Sequence, residues 1–321
     1  MAPSGAPKIQ AYQHGIFPRS ENVVRATRDV ERGRTSLDQV DAAFEEDRQS
    51  FLTLQREAGL DFVSDGLLRW QDLFRPLVDA AEGLDARVLV RWFDNNAFFR
   101  APELQGSPAW RELPAWVLSD GIPEPRVATL PSPYLFSRAA RWDGDRDDLM
   151  LTLSREVLGP AVRDLVAARY GLIHLEEPWL TYFGIEDESW KGFEESLASI
   201  REAAGDVTLV LHTYYGDAAP HADRLRRLPV DAIGIDFDET EAEELPAPWE
   251  AGLVAGVFDG RRSLTEAAGD VSDFVAEVAE RLQPTALFVS SGSDLELSGP
   301  QVAPNKVRAL GRAAAMLRES L

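Results

Sequence analysis

Two adjacent glutamates, Glu176 and Glu177, follow the apolar residues Leu172, Ile173 and Leu175 and precede Pro178. Carboxylates at the end of a strand-like run sit at the rim of a core. Desolvation there raises their pKa into the range that suits acid catalysis, or leaves them seeking an ammonium group. The competing reading is a structural ion pair with an arginine such as Arg19 or Arg91. The next apolar run, residues 207–211, ends in His212, Tyr214, Tyr215 and Asp217, and a third, residues 232–235, ends in Asp236, Asp238 and Glu239. His212 with Asp238 could form an acid–base pair or ligate a metal. A lone histidine is more often a hydrogen-bonded structural group, so residue pattern alone argues against a metal. Tyr214 and Tyr215 could donate to a substrate or simply pack.

Three successive strands that end in chemistry-bearing residues, with a helical pattern at 189–204, read as part of a parallel α/β barrel whose site lies at one face. Further strands are expected at 8–13, 60–64, 126–130, 252–257 and 285–289. Helices are expected at 21–33, 35–58, 72–81, 264–282 and 305–321, and at 145–170 with a break at Gly159-Pro160. Ser20 is a candidate cap for the first helix, and Gly59 stops the second. The segment ARVLVRWF, residues 86–93, alternates arginine with apolar residues as a half-exposed strand with a polar outward face does. It reads as a hairpin outside the barrel, spanning about 86–104, with Trp92, Phe98 and Phe99 over the mouth. The chain, 1–321, is therefore expected to be a single (β/α)8 TIM-barrel domain.

Composition narrows the function. The net charge of −21 argues against nucleic acid or an anionic membrane surface as partner and favours small-molecule substrates. There is no cysteine, which excludes disulfides, thiolate nucleophiles, iron–sulfur clusters and thiolate zinc sites. Lysine occurs only at Lys8, Lys191 and Lys306. Residues 1–7 carry no hydrophobic signal core and no apolar run is of membrane-spanning length, so a soluble cytoplasmic protein is expected. Asp65, Asn95 and Asn96 are turn-forming types that turns explain adequately, and HGIFPRS, residues 14–20, reads as a surface loop exposing Arg19.

Taken together, HGIFPRS, LEEPWL, RWFDNNAFFRAPE, LHTYYGD and LFVSSGSDLELS resemble the strand-end motifs of the cobalamin-independent methionine synthase family, in order and spacing. The likeness covers nearly the whole chain but one barrel of the family's two, and is closest to the N-terminal barrel. It implies a methyltransferase that uses 5-methyltetrahydrofolate and a small amino-acid-like acceptor, homocysteine or another nucleophile. Glu176, Glu177 or Asp238 would supply acid or hold an acceptor ammonium, and His212 would act as base or orienter. Arg19 would hold a carboxylate, and Trp70, Trp92 or Trp179 would stack on the pterin. Asp65, Asn95, Asn96, Tyr214, Tyr215 and Ser293 complete the candidate substrate-binding set. The family's catalytic barrel holds zinc through histidine, glutamate and two cysteines. His212 keeps the histidine position and Asp238 stands at the glutamate position, but Tyr214 and Ser293 replace the cysteines. Zinc is therefore doubtful, with His212 and Asp238 as ligands only in a non-thiolate site. The alternative is a non-catalytic folate-binding barrel that partners a separate zinc-bearing barrel subunit. A lyase or decarboxylase of the related uroporphyrinogen-decarboxylase-like barrels is a third reading.

Overall fold

The structure is a computed structural model that describes residues 8–118 and 121–321; residues 1–7, read above as lacking a signal core, lie outside the described residues. In chain order the strands are β1 (Ile9–Ala11), β2 (Ala81–Arg91), β3 (Phe98–Trp110), β4 (Arg126–Pro131), β5 (Tyr170–Glu176), β6 (Thr208–Thr213), β7 (Ala232–Asp236), β8 (Gly252–Gly256) and β9 (Leu287–Ser290). All but β2 and β3 form one parallel sheet in the order β1, β9, β8, β7, β6, β5, β4. The strand expected at 60–64 is reduced to a single parallel bridge, Val63 with Arg126. It still closes the sheet. Asp61 donates its N–H to the Ala11 carbonyl at 2.8 Å, and Val63 pairs with Pro125 and Val127 at 3.0 Å each. The segment therefore bonds β1 on one side and β4 on the other.

One residue from each barrel position meets at the axis: Tyr12, Phe62, Val127, Leu172, Val210, Ala232, Val254 and Phe288 form a buried cluster of their own. Alternate strand residues share a face. The residues two further along each strand therefore also point inward, and they make the floor of the site. The intervening residues, such as Ile173, Leu175, Leu209 and Leu211, pack outward in the larger core beneath the helices.

The helices are α1 (Glu21–Glu31), α2 (Leu37–Ala58), α3 (Arg75–Ala80), α4 (Pro133–Ala139), α5 (Arg146–Leu153), α6 (Gly159–Ala167), α7 (Pro178–Phe183), α8 (Ser189–Ala204), α9 (Ala222–Leu225), α10 (Ala268–Leu282) and α11 (Ala303–Ser320). Ser20 caps α1 by accepting from Val23 N–H at 3.3 Å, and Gly59, at φ 73°, terminates α2. The break expected at Gly159-Pro160 is a π-helical turn, Ser154–Leu158, in which Gly159 N–H reaches back to the Ser154 carbonyl. Pro160 has no N–H to continue α-helical bonding, and one wider turn absorbs the mismatch without ending the helix.

The hairpin is longer than the 86–104 span expected. It pairs from Ala81 with Trp110 to Arg91 with Phe98, and it cuts α3 off at Ala80. Its outward face is not polar throughout: Val88, Leu89, Val90 and Phe98 are exposed. Among the described residues no helix is long and apolar enough to cross a membrane.

Candidate functional site

Beyond the apolar layer, β5 turns His174 and then Glu176 to the axis, and β6 adds His212. The turn after β1 adds His14, two residues past Tyr12. All four side chains are fully buried. His14 and His174 stack with ring centroids 4.0 Å apart and planes at 14°. His212 lies 4.9 Å from the first ring and 5.1 Å from the second. Small residues on the facing strands make the space. A Cβ on Gly234 would lie 2.3 Å from the His212 ring, and one on Gly256 would lie 3.0 Å from its Nε2.

Each imidazole is held differently. The Tyr12 hydroxyl is 2.9 Å from His174 Nδ1. His14 Nε2 meets the Ser291 carbonyl at 3.1 Å and its Nδ1 meets Glu176 Oε1 at 3.3 Å. His174 Nε2 and both nitrogens of His212 have no hydrogen-bond partner among the described residues. Burial lowers the pKa of all three; neighbouring imidazoles lower those of His174 and His212 further, while Asp294 and the Ser291 carbonyl pull that of His14 back up.

Glu176 Oε2 accepts from the Tyr214 hydroxyl at 2.8 Å. Asp294, in the loop after β9, faces the same carboxyl. His14, Glu176 and Asp294 each offer an atom within 4.8 Å of the others. Burial pushes Glu176 up to about 7, against the hydrogen bonds from Asp294 and Tyr214 that pull it down. Burial and then the Glu176 charge hold Asp294 well above the usual carboxylate range. Two facing carboxyls in so dry a place retain at least one proton. A cavity of about 590 Å³ opens beside this pair and is lined by Ile16, Trp92, Asn96, Phe99, Asp294 and Glu296 among others.

The sequence candidates divide sharply. Glu176, His212 and Tyr214 converge on the axis, and Trp92 and Asn96 reach the cavity. Ser293 and Tyr215 form a neighbouring pair linked by a hydrogen bond. Glu177 is committed to structure. It accepts from the Ser132 hydroxyl, from Leu135 N–H at 3.0 Å and from Leu180 N–H at 2.8 Å, capping α7. Asp238 lies past the sheet, partly exposed, and pairs with Arg262 at 3.3 Å. The inward acid of β7 is Asp236, pushed up to about 7 by burial and by the Asp238 charge. The first-strand loop is not on the surface: residues from His14 to Pro18 are buried. Arg19 is half-buried, and it donates to the Leu68 and Trp70 carbonyls.

Asp65 faces Arg48 and Arg69, away from the histidines. Trp70 and Asn95 are buried, and Trp179 lines a separate cavity of about 610 Å³ with Arg138 and Arg146. Sequence reasoning passed over His14, His174, Asp236 and Asp294 as site groups. Counting back by two from Glu176 would have found His174.

A family model described as cobalamin-independent synthase, N-terminal domain, matches residues 77–283. The chain belongs to the cobalamin-independent synthase family. Among its relatives in that family, a 5-methyltetrahydropteroyltriglutamate–homocysteine methyltransferase from Herpetosiphon aurantiacus is 28% identical over 234 residues, which is 68% of this chain and 30% of that protein. A methionine synthase from Sulfolobus acidocaldarius is 22% identical over 96% of this chain and 91% of its own length. The chain thus spans under a third of the first relative and nearly all of the second. The solved structure of a B12-independent methionine synthase from a Shewanella species, in complex with selenomethionine, shares the fold. Its TM-score is 0.77 at 17% identity, with 97% of this chain and 98% of that one covered. The chain has no cysteine to offer a thiolate to a metal. Tyr214 puts its hydroxyl on Glu176, Ser293 lies beside Tyr215, and Asp238 is turned away to Arg262.

Proposed function

We propose that this barrel is a methyltransferase that moves a methyl group from a 5-methyltetrahydropteroyl donor to a small amino-acid-like acceptor, homocysteine or another nucleophile. Family membership supports the reaction class. The observation that carries the reading onto this chain is the Glu176–Asp294–Tyr214 group beside a cavity that Asp294 helps to line. N5 of the donor leaves poorly unless it is protonated as the methyl departs. Glu176, braced by Tyr214 and facing Asp294, is placed to hold that proton or an acceptor ammonium. Trp92 offers a face to the pterin and Asn96 a polar contact, in a cavity whose volume of about 590 Å³ suits a ligand of that size. Glu177 keeps α7, and with it the rim, in place. No step is assigned to zinc, because the thiolate ligands that the family resemblance implies are not here. The cytoplasm is the compartment that fits a folate substrate.

The test is methyl transfer by the purified chain with methyltetrahydrofolate and homocysteine. Glu176→Gln is expected to lower kcat by ~10²–10⁴-fold with little change in unfolding midpoint; unchanged turnover excludes the role. A second reading has its own support in the 30% coverage of the Herpetosiphon protein. On that reading this is a binding barrel that pairs with a separate zinc-bearing barrel. Activity that appears only on adding such a companion chain would establish it.

A further inference from the structure

We propose that His14 is a positioning residue for Glu176: its Nδ1 lone pair accepts the acid proton of Glu176 and keeps it on Oε1. The inference rests on the methyl-transfer reading above and deepens it. The hydrogen bonds at the two ends of the ring decide where its own proton sits. A carbonyl oxygen only accepts, so Nε2, 3.1 Å from the Ser291 carbonyl, carries the N–H. The Ser291 hydroxyl is the farther neighbour of Nε2, at 3.4 Å, and already accepts from the Gln13 amide at 2.9 Å. A neutral ring then turns a lone pair, at Nδ1, toward Glu176 Oε1 at 3.3 Å. Two lone pairs do not hold each other at that distance, and a proton on Oε1 supplies the missing donor. The other oxygen, Oε2, accepts from the Tyr214 hydroxyl at 2.8 Å, which directs the proton to Oε1.

The backbone around His14 holds this contact in place. The Gln13 amide donates to the His14 carbonyl at 2.7 Å, and Gly15 N–H donates to Thr129 Oγ1 at 3.0 Å. Gly15 has φ 70°, and a Cβ there would lie 1.5 Å from Asp294 Oδ1 and 2.8 Å from Glu176 Oε1. A glycine at this turn is what lets both carboxyls close on His14. The other titratable groups against the ring are His174, stacked at 4.0 Å, His212 at 4.9 Å, and Asp294. Burial disfavours both an imidazolium at His14 and a carboxylate at Glu176, which leaves the proton on the carboxyl; Asp294 opposes the first effect without reversing it. Methyl transfer breaks the N5–CH3 bond, forms the acceptor–CH3 bond and moves the acceptor's proton to N5. Glu176 thus gives one proton and regains one in each cycle, and His14 returns it to the same oxygen.

Ring ¹⁵N spectra of the wild type, taken at about pH 6, below the value to which burial lifts Glu176, should show His14 with its proton on Nε2 and a hydrogen-bonded, unprotonated Nδ1. Infrared difference spectra of Glu176→Gln against wild type should show the C=O stretch of a protonated carboxyl. That stretch should rise in frequency in His14→Leu and fall back in His14→Asn, whose amide oxygen takes the place of Nδ1. In turnover, His14→Leu is expected to lower kcat by ~10-fold, less than Glu176→Gln does, with KM within about twofold, and His14→Asn to recover part of the loss. A proton on Nδ1, alone or together with one on Nε2, overturns the proposal. So does the absence of a protonated Glu176 stretch, or one that does not move in folded His14→Leu. Should His14→Leu fail to fold, the wild-type ring spectra decide by themselves. The spectra need no turnover, so the two readings fail separately. Failure of the function proposed above shows as no methyl transfer with the spectra as expected; failure of this inference shows in the spectra of an active enzyme.

Discussion

Glu176 and Glu177 are neighbours in sequence and opposites in role. Glu176 looks along the axis at groups from three other strand ends. Glu177 looks sideways, and every contact it makes is a hydroxyl or a backbone N–H. Glu177→Ala should therefore cost about 2–4 kcal/mol in denaturant unfolding, from a lost cap and stranded donors. Glu177→Gln should cost less. A Glu177→Ala protein of wild-type stability but no turnover would reverse that division of labour. Asp65 gives a pH signature. Burial raises it from its ordinary value to about 6, against the Leu67 N–H and Arg48 that favour its charge. The native state therefore holds this proton more tightly than the unfolded chain between about pH 4 and 6. Its contribution to stability falls as pH rises across that window and stays low above it. Asp65→Asn should flatten this part of the profile, read as the difference between variant and wild-type unfolding curves.

At the scale of elements, the hairpin both builds the core and lines the cavity. Trp92 packs edge-on to Phe74, Phe93 and Phe99 and is buried to 9% exposure, whereas Asn96 at the turn is exposed. Trp92→Ala should cost ~3–5 kcal/mol as a core truncation. Asn96→Ala should leave Tm unchanged and raise KM several-fold. If Asn96→Ala alters Tm and not KM, the hairpin tip is structural and not part of the binding surface. The alternation of arginine with apolar residues marked β2 correctly as a strand outside the barrel. Its true length was hidden because the helix expected at 72–81 took in its first residue, and the alternation that marks the strand begins only at residue 86.

For the molecule as a whole, the seam of the barrel is its thinnest part. The segment around Val63 makes one bridge, and Asp61 reinforces it by accepting from Ala11 N–H at 2.7 Å and pairing with Arg318 of α11. The last helix thus locks the first strand. Asp61→Ala should destabilise by about 1–3 kcal/mol and speed exchange of the Ala11 amide, measurable by hydrogen exchange. No change at that amide would show that packing alone holds the seam.

The sequence by itself determined every barrel strand but the one expected at 60–64, most of the helices, the barrel and the gathering of acids, tyrosines and a histidine at strand ends, because apolar runs, caps and breakers are local signals. Only the tertiary structure decided which of those groups face one another. Barrel strands are buried on both sides, so Ile173 and Leu172 look alike in sequence though one meets helices and the other the axis. For the same reason His174 carried no sign of its direction. The turn after Asp236, where Thr240 N–H bonds back to its carbonyl at 3.0 Å, carries Asp238 out to Arg262. That turn is what makes Asp236, and not Asp238, the inward acid, and nothing in the residue types could foretell it.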